Sequence, residues 1–82
     1  ATHNVGSLVQ NMATAHFGAS TRNFVITETR ISQNSLIDEM AEEKVKVVDG
    51  KLAVPTGPGL GITLIPEVLR ANLMDGEPYW GE

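Results

Sequence analysis

The stretch Ala1-Thr2-His3-Asn4-Val5-Gly6-Ser7, running on into Arg22-Asn23-Phe24-Val25-Ile26-Thr27-Glu28-Thr29-Arg30, decides the fold class. It reads as the end of one strand, then a helix, then a second strand that ends in a carboxylate. Gly6 and Ser7 suit a helix start, with Ser7 as the N-cap. From residue 8 to residue 19 the apolar positions fall at helical spacing. Leu8, Met12, Ala15 and Ala19 form one stripe, with Val9, Ala13 and Phe17 beside it. Gly18 and then Ser20-Thr21 weaken and end that helix. The run 24–27 is β-branched and aromatic, which is how a strand buried on both faces reads. Alternation puts Phe24, Ile26 and Glu28 on one face, with Val25 and Thr27 on the other.

This reading places His3 and Glu28 at equivalent ends of two strands joined by one helix. In a parallel β/α barrel such ends share one mouth, and chemistry is done there. An imidazole at that place can exchange a proton near neutral pH. Asn4, next to His3, is a candidate for lining the same site. The chain opens in the middle of this pattern without a methionine, so it reads as the last part of a larger enzyme.

Beyond residue 30 the signals are local. Residues 31–44 form a polar connection with a short helix near 35–40. Val45-Lys46-Val47-Val48 and Lys51-Leu52-Ala53-Val54 flank Asp49-Gly50, the signature of a hairpin with a two-residue type I′ turn. Pro55-Thr56-Gly57-Pro58-Gly59-Leu60-Gly61 is an extended loop leading to Ile62-Thr63-Leu64. Pro66 then suits the first position of a short helix near 66–72. The glycines at 57, 59 and 61 do not make a phosphate cradle: no Gly-Lys-Ser/Thr follows, and the loop opens into an apolar run. His16 reads as a helix-packing residue. Tyr79 and Trp80 are candidates for an inter-domain or inter-subunit contact.

Composition narrows the function classes. The chain has 82 residues, a net charge of −4 and no cysteine, which removes disulfides and thiolate metal sites. Its six basic residues are scattered, which argues against a nucleic-acid surface and against an anionic membrane. No apolar run approaches the roughly 20 residues of a membrane span.

His3-Asn4 before a small-residue helix, followed by Arg22-Asn23-Phe24 and Glu28, resembles the end of the barrel in the enolase superfamily, mandelate racemase/muconate lactonizing branch. Gly50-Lys51-Leu52-Ala53-Val54-Pro55-Thr56-Gly57-Pro58-Gly59-Leu60-Gly61-Ile62 is similar to the C-terminal signature of that branch. The His3 to Glu28 spacing resembles the acid-sugar dehydratases of the galactonate or gluconate type. The resemblance implies an α/β chain forming the C-terminal segment of a (β/α)7β TIM-like barrel, with a hairpin and tail that pack on a capping domain. Residues 1–30 would then hold the end of strand 7, helix 7 and strand 8. Residues 31–82 would be a C-terminal extension with the hairpin at 45–54, and the whole would not be an independent domain.

By the same resemblance, His3 is the general base that takes the proton next to a carboxylate, paired with an Asp from the sixth strand. Glu28 hydrogen-bonds the substrate carboxylate as it becomes an enediolate, and loss of the 3-hydroxyl gives a 2-keto-3-deoxy acid. Mg²⁺ stabilises the growing charge. Its ligands, an Asp and two Glu on strands three to five, have no counterpart here, so no metal ligand is expected in this segment. The expected partners are the remaining barrel and capping domain, joined covalently or as a separate chain, a small sugar acid, and further copies in a homo-oligomer, in the cytoplasm. The alternatives are a racemase or cycloisomerase of the same superfamily and a non-catalytic binding or assembly module.

Overall fold

The computed structural model describes residues 3–32 and 34–80. The first two residues of the expected strand end lie outside them. Among the described residues five short elements follow in order: α1 (Leu8–Ala19), α2 (Ser35–Glu39), β1 (Val47–Val48), β2 (Lys51–Leu52) and α3 (Pro66–Ala71).

Helix α1 forms on the apolar stripe of its sequence, and Leu8 and Met12 are its buried members. The Ser7 side chain does not cap it. The Asn11 amide instead donates to the Ser7 carbonyl at 2.7 Å. At the other end the Ser20 and Thr21 hydroxyls donate to the Phe17 carbonyl, which competes with further helical turns. Gly18 is buried there because the Phe24 ring lies over it: a Cβ would stand 2.9 Å from that ring.

Residues 24–26 belong to no strand, and Thr27 forms an isolated bridge. Val25 is 88% and Ile26 63% exposed. A strand buried on both faces requires a ladder on each side and layers above and below. Among the described residues the one sheet is the two-stranded pair β1–β2, and Val25 and Ile26 lie outside it.

The second half closes on itself. Asn34 caps α2 by accepting from the Leu36 and Ile37 amides. Val47 stands opposite Leu52 and Val48 opposite Lys51 across the antiparallel hairpin. Its turn residues Asp49 and Gly50 have φ of 51° and 71°, the left-handed pair that a type I′ turn requires. Ala41 and Leu64 form an isolated antiparallel bridge, flanked by Glu42 N–H donating to the Thr63 carbonyl and Ile65 N–H donating to the Met40 carbonyl, both at 2.8 Å. Beside it the Thr63 amide and hydroxyl donate to the Glu43 carboxylate. The Thr63 backbone N–H first, then Glu43's own backbone and the Thr63 hydroxyl, hold the Glu43 carboxyl below its ordinary value. Pro66 opens α3, and the Arg70 guanidinium lies 4.5 Å over the Tyr79 ring.

A small core joins the two halves. Leu8 and Met12 of α1 meet Ile31, Ile37, Met40 and Ala41, with Leu52, Ile62, Leu64 and Val68 packed partly buried around them. His16 Nε2 lies 3.0 Å from the Leu60 carbonyl and ties α1 to the glycine-rich loop. The accessible surface is 5991 Å², against about 4,800 Å² for a folded monomer of this size.

Candidate active site

His3 precedes α1 by a short loop, and Glu28 follows the exposed 24–27 segment. The fold brings the two together: His3 Nδ1 lies 3.1 Å from Glu28 Oε1. The same carboxylate oxygen accepts the backbone N–H of Asn4, also at 3.1 Å. Both side chains are open to solvent, His3 at 82% and Glu28 at 51%. With Nδ1 facing the carboxylate, Nε2 is the ring nitrogen on the far side of the imidazole.

Behind this exposed pair lies a buried polar cluster. Asn4 and Asn11 are each 1% exposed. Asn4 Nδ2 donates to Asn11 Oδ1 at 3.0 Å, and the Thr29 hydroxyl donates to the same oxygen at 2.6 Å. Asn11 Nδ2 donates to the Gly6 and Ser7 carbonyls at 3.3 and 2.7 Å. Thr29 Oγ1 in turn accepts the Ile31 N–H. Asn4 therefore lies beneath the His3–Glu28 pair, presenting its backbone to Glu28 and its side chain to the interior.

Asn11 and Thr29 are not among the residues singled out from the sequence. The available signal was the position of Asn11: it falls between Leu8 and Met12 on the stripe that faces the core, where a polar residue needs a partner.

Two cavities lie elsewhere. One, of about 410 Å³, opens between the end of α1, residues 24–29 and the hairpin, and is lined by Ala15, Gly18, Phe24, Ile26 and Leu52. The other, of about 400 Å³, is bounded by Leu36, Met40, Leu69, Tyr79 and Trp80. Neither is lined by His3 or Glu28. His16 bonds to backbone within the fold and stands apart from the His3–Glu28 pair. Among the described residues no group of three or more His, Cys, Asp or Glu is placed to hold a metal ion, and no helix is long and apolar enough to cross a membrane.

An α/β chain with a His–Glu pair at its N-terminal end and a hairpin extension behind it can now be set beside known proteins. The family described as enolase C-terminal domain-like matches residues 1–68, and the chain belongs to that family. Within the enolase superfamily it resembles an acid-sugar dehydratase. It is 32% identical over 82 residues to the D-xylonate dehydratase of Haloferax volcanii. That alignment takes in 100% of this chain and 20% of the relative, so the chain spans about a fifth of the relative's length. No solved structure matches it significantly.

Proposed function

We propose that this chain is the C-terminal catalytic segment of a sugar-acid dehydratase, closing a (β/α)7β barrel whose other strands lie outside it. The observation that carries the reading is the 3.1 Å approach of His3 to Glu28 in a chain that aligns over its whole length with a D-xylonate dehydratase. The exposed apolar side chains of 24–26 and the excess surface support the remaining barrel and capping domain as partners. Assembly into a homo-oligomer and a cytoplasmic location belong to the same proposal.

In this reading a sugar acid enters with its carboxylate toward Glu28 and its α C–H toward His3 Nε2, replacing the direct contact between the two side chains. Nε2 takes the α proton, and the C–H electron pair moves into the carboxylate to give an enediolate. A free imidazole is far too weak a base for this unless the new charge is stabilised as it forms. Glu28 hydrogen-bonds the substrate carboxylate as it becomes the enediolate, and that bond strengthens along the reaction. The C3–O bond then breaks, the imidazolium proton is available to the departing hydroxyl, and water leaves. The enol product tautomerises to a 2-keto-3-deoxy acid. Mg²⁺, which would offset the carboxylate's negative charge, has no ligand set among the described residues. In this proposal it is held by residues beyond this chain.

The test is solvent-deuterium exchange at the substrate's α carbon by the full-length protein. His3→Asn should lower exchange by about 10²–10⁴-fold, the usual contribution of a positioned base, with Mg²⁺ binding nearly intact. Exchange that continues unchanged in this variant refutes the assignment of His3 as base.

A further inference from the structure

We propose that Asn11 is the positioning residue of this site, holding His3 and Glu28 in register through Asn4 and Thr29. The proposal rests on the catalytic roles assigned above to His3 and Glu28. Three stretches of chain meet at one amide. Asn4 is the neighbour of His3, Thr29 is the neighbour of Glu28, and both donate to Asn11 Oδ1. Asn11 Nδ2 uses its two protons on the Gly6 and Ser7 carbonyls, the loop that joins His3 to α1. Every donor and acceptor of this amide is engaged, and exchanging its oxygen and nitrogen would set the oxygen against the Gly6 and Ser7 carbonyls and the NH₂ against Asn4 Nδ2. The amide has one orientation, and it fixes the neighbours of both reacting groups to the same rigid helix.

Burial argues that the arrangement serves geometry more than stability. Leu8 and Met12 flank Asn11 on the helix, and an aliphatic residue there would extend the apolar core. The amide is present instead, with the cost of burying polar groups. Asn4 Oδ1 is buried with no hydrogen-bond partner among the described residues, a further cost that an apolar cluster would not carry. What the cluster secures is the backbone of Asn4, whose N–H reaches Glu28 Oε1 beside His3 Nδ1. Reacting groups displaced by about 1 Å lose on the order of 10²-fold in rate.

Four substitutions in the full-length protein separate positioning from mere packing. Asn11→Leu fills the volume and removes the network; Asn11→Ala removes both. Thr29→Val keeps the shape and deletes the hydroxyl, and Thr29→Ser restores it. Asn11→Leu and Thr29→Val should lower kcat by about 10–100-fold with KM changed by less than about 3-fold, and Thr29→Ser should return most of it. Crystal structures supply a readout independent of turnover: His3 Nδ1 and Glu28 Oε1 should part beyond hydrogen-bond distance in Asn11→Leu and Thr29→Val and stay together in Thr29→Ser. A folded Asn11→Leu or Thr29→Val protein that keeps the contact and wild-type kcat overturns the proposal. If Asn11→Leu does not fold, the Thr29 pair decides alone. Continued α-proton exchange in His3→Asn would sink the catalytic reading instead, while the contact geometry of the Asn11 and Thr29 variants would still report on positioning.

Discussion

Residues 24–27 and residues 45–54 are made of the same kind of side chain, and the two stretches end differently. Val47-Val48 and Lys51-Leu52 pair in an antiparallel ladder. Phe24-Val25-Ile26 do not pair, and two of their side chains are largely exposed. The hairpin needs only its own turn, because its partner strand lies two residues away in sequence. A parallel strand needs a neighbour on each side, and each is reached only through a crossover of a dozen residues or more. β-propensity without a partner within reach therefore gives no sheet, and the distance to that partner separates the two regions.

The largest effect that tests this contrast is the behaviour of the isolated 82-residue chain. It should show no cooperative thermal transition by circular dichroism at micromolar concentration. Its amide protons should be well dispersed only for residues near the core around Met12, Ile37 and Ala41. A cooperative transition with monomeric mass would break the contrast, since residues 24–27 would then need no outside strand.

Gly50 sharpens the other side of the comparison. Among the described residues nothing beyond its chain neighbours lies within 4 Å of where its Cβ would stand, so a substitution there meets backbone strain at φ 71°. Gly50→Val should cost about 1–2 kcal/mol, the penalty of a left-handed residue with a branched side chain, read from denaturant midpoints of the full-length protein. A larger loss would mean that the hairpin is held by contacts beyond its own turn.

The smallest effect concerns the strap that closes the second half. The Glu43 carboxyl is lowered by its bonds from Thr63. The unfolded chain therefore binds a proton that the folded chain resists. The stabilisation is fully present above the ordinary carboxylate value and is lost as pH falls through the lower folded value. The stability difference between the native protein and Glu43→Gln should shrink as pH drops below about 4.5. A difference that stays constant into acid would show that the Thr63 contacts act without regard to charge.

What could be read from sequence alone follows the same division by range. The end of α1 is marked by Gly18 with Ser20-Thr21, the hairpin by Asp49-Gly50 and the start of α3 by Pro66. Each is a signal that acts within a few residues. The bridge of Ala41 to Leu64 and the Glu43–Thr63 contacts join residues far apart in sequence, and no local pattern marks them. In the candidate site, His3, Asn4 and Glu28 stand out by residue type and spacing, and the structure brings them together. Asn11 escaped notice because one polar residue in an apolar stripe reads as an imperfection of the stripe.

The seat of the Phe24 ring on Gly18 has a consequence for variation. Helix and segment are keyed there like a tenon in a mortise, and Glu28 lies four residues beyond the tenon. A methyl group at 18 would meet the ring at 2.9 Å and push it outward, and Glu28, four residues on, should shift with the segment. Positions 18 and 24 should accordingly drift as a pair: alanine at the first is accommodated where leucine or valine replaces the ring at the second, and either change made singly moves a group that neither residue touches.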